Sequence, residues 1–103
     1  LRNQPNVITS ITELELWRGA FLSANPSETQ AVTRVTSHFS VLPFDSRCAR
    51  LTGELWTQLE RGGMPLEARD LMIAGTALSH DAVLYTRNLK HFQRVPGLKV
   101  KRW

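Results

Sequence analysis

Leu66-Glu67-Ala68-Arg69-Asp70-Leu71-Met72-Ile73-Ala74-Gly75-Thr76-Ala77-Leu78, followed by Ala82-Val83-Leu84-Tyr85 and Thr86-Arg87-Asn88, is the stretch that decides the fold class. Leu71, Ala74 and Leu78 recur at helical spacing, with Ile73 and Ala77 beside them, so the first part predicts an apolar helix opened by a lone carboxylate, Asp70. The small residues Ala74, Gly75 and Ala77 let another element approach closely. Ala82–Thr86 predicts a short strand that runs into a polar cluster. In an α/β sheet, an acid at a helix start and polar residues at a strand end can meet outside the carboxyl ends of parallel strands, where ligands bind. That combination points to a hard-metal site and to phosphodiester chemistry.

Upstream, the same alternation continues. Val7-Ile8-Thr9-Ser10-Ile11 is β-branched and reads as a strand, and Thr12-Glu13-Leu14-Glu15 has the spacing of a capping box for a helix running to about Ser23. Asn25-Pro26 ends it. Ser27 with Gln30 repeats the capping pattern before a helix to about His38. Val41-Leu42-Pro43-Phe44 predicts a second strand, with Pro43 favouring an edge. Asp45 caps a third helix with the stripe Cys48, Leu51 or Thr52, Leu55 and Leu59, stopped by Gly62-Gly63. Downstream, Asn88–Phe92 predicts one helical turn, Pro96-Gly97 a turn, and Leu98–Trp103 a last strand. Strands alternating with helices predict an α/β fold with a parallel sheet of about four strands flanked by helices.

At 103 residues, 42% hydrophobic and 21% charged, the chain fits one globular domain spanning residues 1–103. No run is long enough to span a bilayer, and no signal-peptide pattern opens the sequence, so no membrane partner is expected. Cys48 has no second cysteine to pair with, which favours a reducing, cytoplasmic setting. His38, His80 and His91 lack zinc-ligand spacing. The formal charge of +4 favours a polyanionic or acidic partner. Arg87, Lys90, Arg94, Lys99, Lys101 and Arg102, interleaved with Phe92 and Trp103, could form a phosphate-contacting face or a plain solvated rim.

Glu15 and Asp70 are the candidate metal-binding pair. Phosphodiester hydrolysis at neutral pH needs a neutralised phosphate and an activated water. Mg²⁺ or Mn²⁺ supplies both and is held by carboxylate oxygens. Asn88 could hydrogen-bond a water or offer its carbonyl. Each residue also has a plainer reading. Glu15 could complete the capping box with Thr12, and Asp70 could serve its helix dipole. Glu13 and Glu67 read as solvated, Asp45 as a cap, Cys48 as core, and His91 as a surface residue or a neighbour of the site.

Five motifs occur in a fixed order: Ile11, Thr12, Glu15, Leu16 and Gly19; Leu42–Asp45; Asp70–Leu78; Leu84–Phe92; then Val95–Leu98 with the closing Trp103. Together they resemble the PIN-domain toxins of the VapC type over almost the whole chain. The resemblance implies a three-layer parallel α/β fold and a Mg²⁺-dependent endoribonuclease. It also implies RNA as substrate, an antitoxin protein as partner and a homodimer. On that resemblance Glu15 matches the second acid of the family and Asp70 the third, while Thr86 matches the polar residue at the strand end. Where the family carries a fourth acid, this chain has Asn88 and His91. Arg87, Lys90 and Arg94 would steer RNA.

The departure is at the front. The family opens with a strand carrying an Asp in a Leu-Asp-Thr-Asn type motif, and nothing before Val7 resembles it. The chain starts at Leu1, not Met. That strand is normally central, flanked by the strands at Val7–Ile11 and Ala82–Thr86. Three outcomes follow: the flanking strands pair directly into a four-stranded sheet, a second copy completes the core, or the chain is part of a longer protein. Buried strand edges need partners, so direct closure or a dimer is the expectation. Two functional classes follow in turn. One is a metal-dependent endoribonuclease. The other is a catalytically impaired relative that acts through antitoxin binding or dimerisation. A basic nucleic-acid-binding module is a third.

Overall fold

The computed structural model describes residues 7–86 and 88–102; Arg87, the N-terminal six residues and Trp103 lie outside the described part. In chain order the elements are β1 (Val7–Thr9), α1 (Ser10–Ser23), α2 (Pro26–Ser37), β2 (Ser40–Leu42), α3 (Ser46–Arg61), α4 (Ala68–Ser79), β3 (Val83–Thr86), α5 (Leu89–Gln93) and β4 (Lys99–Arg102). The alternation read from the sequence is therefore present, with element ends displaced by one to three residues.

The displacements have physical causes. The first strand stops at Thr9 because the Thr9 hydroxyl accepts the Thr12 backbone N–H at 3.0 Å, which places the helix cap three residues earlier than the expected Thr12. Ser10 and Ile11 are thus helical. At the second helix Asn25, not Ser27, is the cap. Its side-chain oxygen accepts the Ser27 N–H at 3.1 Å, and Pro26 takes the first helical position, where its missing N–H costs nothing. The second strand ends at Leu42, before Pro43. Asp45 caps α3 as expected, accepting the Cys48 N–H at 3.0 Å. The fourth helix begins at Ala68, so Asp70 lies within its first turn and not at its start.

The core lies between α3, α4 and the strands. Ile11, Leu55, Leu59, Leu71, Ile73, Ala74, Phe92 and Val95 form its buried cluster. α3 and α4 make the most extensive helix pair. Gly75 allows it: a methyl group there would collide with the Thr52 side chain and lie 3.3 Å from the Thr52 Cα. Cys48 is fully buried, with its thiol against the Pro43 carbonyl, as the core reading requires.

The four strands do not form one sheet. β1 pairs in parallel with β2 (Val7 opposite Ser40, Thr9 opposite Leu42) and β3 in parallel with β4 (Val83 opposite Lys99, Thr86 opposite Arg102), giving two separate two-stranded sheets. The expected direct pairing of β1 with β3 is thus corrected. Both strands pack on α4, so they are the inner members of their pairs. A cleft lined by Thr12, Ile73 and Leu84–Thr86 separates the β1–α1 junction from β3. Among the described residues no backbone ladder joins the two halves, and helix α4 packs on both.

Candidate active site

That cleft brings together the candidate residues of the sequence. It has a volume of ≈ 380 Å³ and is walled by Thr12 and Glu15 from α1, Asp70 and Ile73 from α4, Leu84, Tyr85 and Thr86 from β3, and Asn88 and Phe92 beyond it. β3 ends here and β1 turns into α1 here, so the cleft sits at the carboxyl ends of the parallel strands, as expected for a ligand site in an α/β fold.

Each side chain is brought in by a local cause. Glu15 is in the second turn of α1. Because Thr9 fills the cap, Glu15 has no capping-box role, and its carboxylate reaches across to α4, with Oε2 3.3 Å from Arg69 Nη1. Asp70 sits in the first turn of α4, where exposed backbone N–H groups favour a negative charge. One of its oxygens lies 3.8 Å from His91 Nδ1, an ion pair when that imidazole is protonated. Thr86 closes the strand with a tight turn, its hydroxyl accepting the Asn88 backbone N–H at 2.9 Å. Asn88 precedes α5 without a side-chain capping bond, which leaves its amide to the cleft.

The structure therefore brings the four expected residues Glu15, Asp70, Thr86 and Asn88 to one cleft. Of the basic residues expected to steer RNA, Lys90 is exposed on α5 beside the cleft. Arg94 donates from Nη1 to the Pro65 carbonyl at 2.9 Å, pinning the loop that leads into α4, so one of its donors is already engaged. Arg87 lies outside the described residues. Sequence reasoning missed Arg69, whose contact with Glu15 spans two helices and leaves no trace in spacing. It also missed Tyr85, half exposed on the cleft wall.

Among the described residues, no three His, Cys, Asp or Glu side chains gather closely enough to hold a cation by themselves. Two carboxylates with a hydroxyl and an amide nearby still suit a hard divalent ion, because Mg²⁺ commonly takes one or two carboxylates and completes its shell with water and substrate phosphates. The pairing of both carboxylates with the protein's own basic side chains fits the same electrostatics.

The sequence profile of the PIN domain matches residues 4–98. The chain belongs to the PIN-domain family. This PIN domain is 40% identical over 97 residues to the tRNA(fMet)-specific endonuclease VapC of Salmonella typhimurium, covering 93% of this chain and 74% of that one. It is 33% identical over 103 residues to ribonuclease VapC2 of Rickettsia felis, covering 99% and 77% respectively. Its fold superposes on the VapBC-1 structure from nontypeable Haemophilus influenzae with a TM-score of 0.91 at 36% identity, covering 100% of this chain and 78% of that chain. The VapC resemblance read from five short motifs thus holds across the molecule.

Proposed function

We propose that this PIN domain is a divalent-cation-dependent endoribonuclease, the toxin of a toxin–antitoxin pair, acting in the cytoplasm. The observation that carries the reading is that Glu15 and Asp70 line one cleft together with Thr86 and Asn88. Glu15 and Asp70 would hold Mg²⁺ or Mn²⁺ through oxygen; when bound, the ion supplies charge neutralisation at the phosphate and an activated water. The Asn88 side-chain oxygen accepts from the attacking water, or its NH2 donates to a phosphate oxygen. Thr86 fixes the turn that presents Asn88. Tyr85, half exposed on the cleft wall, offers a ring against which a base can stack. Lys90, Arg87 and the free donors of Arg94 attract the flanking phosphates, so binding weakens as salt rises.

The partner reading rests on a separate surface. Phe21 and Leu22 are each 68% exposed at the end of α1, and Leu14, Leu16 and Val35 add further exposed apolar area on α1 and α2. Apolar exposure of this kind marks a protein-binding face. It suits an antitoxin segment or a second copy of this chain. Among the described residues no helix is long and apolar enough to cross a membrane.

The test is cleavage of RNA by the purified chain with Mg²⁺, with EDTA, and with Asp70→Asn. The expected result is Mg²⁺-dependent cleavage reduced roughly 100-fold or more by the substitution, about 2.7 kcal/mol of barrier. Cleavage indifferent to Asp70→Asn overturns the active-site assignment. No cleavage by the unaltered chain, together with binding of an antitoxin-like peptide, selects the impaired, partner-binding reading instead.

A further inference from the structure

The geometry points to Arg69 as a positioning residue that acts through Glu15: a resident counter-ion that competes with the divalent cation and sets how tightly the cleft takes it. This rests on the divalent-cation reading above and adds a residue to it.

Arg69 directly precedes Asp70 in the first turn of α4. Successive helical side chains diverge by about 100°, so the turn that gives Asp70 to the cleft sends Arg69 across to α1. There Nη1 lies 3.3 Å from Glu15 Oε2. This is the one ion pair of Glu15 among the described residues. The neighbouring acid on α1 does not share it, because Glu13 accepts the Trp17 indole N–H at 3.1 Å. The Arg69–Glu15 contact joins one nitrogen to one oxygen and is not a two-pronged fork, the geometry that would lock the pair. Arg69 is 54% exposed and Glu15 40%, so water screens the attraction and the guanidinium can swing aside. A cation entering at Glu15 therefore meets a positive charge within a few ångströms, one that can move but not leave.

The sign of the effect follows. A guanidinium that only held the Glu15 rotamer would help the cation, and its loss would weaken binding. A competing guanidinium opposes the cation, and its loss tightens binding. The contact is single and exposed, so competition is the larger effect. With screening, the change is roughly three- to tenfold.

Mn²⁺ titrated into the full chain, with free Mn²⁺ followed by electron paramagnetic resonance, tests this without any turnover. Arg69→Gln is expected to bind Mn²⁺ roughly three- to tenfold more tightly than the unaltered protein, with the gain shrinking at high salt. Arg69→Lys keeps the charge and stays close to the unaltered affinity. Lys99→Gln, at the amino end of β4 opposite Val83 and away from the strand ends that border the cleft, lowers the net charge equally and leaves affinity unchanged. If Mn²⁺ binds, is lost in Asp70→Asn, and is held equally or more weakly by Arg69→Gln, the cation site stands and the role of Arg69 falls. If neither protein binds Mn²⁺, both fall together.

Discussion

Asp45 shows how one carboxylate ties this fold to pH. The Cys48 backbone N–H that it accepts, helped by the Cys48 side chain, holds its pKa below the ordinary aspartate value. A depressed folded pKa means that the unfolded chain binds the proton more readily. The contribution of Asp45 to stability is therefore fully present above the unfolded value, about 3.9, and is lost as pH falls through the lower folded value. Asparagine caps a helix comparably without titrating. Asp45→Asn should thus match the parent near neutral pH, while its urea midpoint falls less steeply below about pH 4; identical acid limbs would refute the linkage. The candidate site tests legibility at the same scale. Asp70 was readable because an acid in the first turn of an apolar helix stands out. Glu15 had two readings, and the Thr9 hydroxyl bond removes the capping one. Arg69 was not readable, because its partner lies 54 positions away in the sequence (69 − 15) and the contact depends on how α1 meets α4.

The helices were legible in kind, and their ends less so. A hydroxyl or amide one to three residues upstream can take over a cap, as Thr9 and Asn25 do, and spacing alone does not rank rival caps. The packing of α3 on α4 was half visible: the small residues of α4 announced a close approach, but not that Thr52 would be its counterpart. A β-carbon at Gly75 would collide with the Thr52 hydroxyl and lie 2.9 Å from its Cβ. Helix propensity alone favours alanine over glycine by about 1 kcal/mol, whereas overpacking a tight core costs about 1–3 kcal/mol. The backbone neighbour at 3.3 Å decides in favour of the clash, because it cannot rotate away. Gly75→Ala is expected to destabilise by about 1–2 kcal/mol in urea unfolding. Thr52→Ala removes the colliding hydroxyl but keeps the Cβ and Cα, so the double variant should recover only part of the loss. Strict additivity of the two changes would show that the helices do not meet at this pair.

At the scale of the whole molecule, the alternation of strands and helices announced a parallel α/β fold, and the family resemblance located the weak point of its sheet. Its resolution was not legible, because whether two edges pair depends on the helices beneath them. α4 supports β1 and β3 together, and the cleft keeps their edges apart. Stability should accordingly be uneven. The α3–α4 pair contains Cys48, Leu71 and Thr76, the largest fully buried side chains, and its interior amides can open only with the whole fold. The β1 and β3 amides that turn away from β2 and β4 have no ladder partner among the described residues, and most of these strand residues are only partly buried. Hydrogen exchange should therefore find the α3–α4 interior slowest. The inner-edge amides should exchange orders of magnitude faster, at a rate independent of protein concentration. Parallel edges with no partner among the described residues are also a template for another chain, which gives the experiment its sharp alternative. If inner-edge protection rises with concentration, two copies meet across the cleft beside Glu15 and Asp70. Dimerisation would then obstruct substrate entry, and cleavage per molecule should fall as the protein is concentrated. If protection stays low while cleavage per molecule is constant, the cleft remains open to RNA and any partner must sit elsewhere, with the exposed Phe21–Leu22 face of α1 as the place to look.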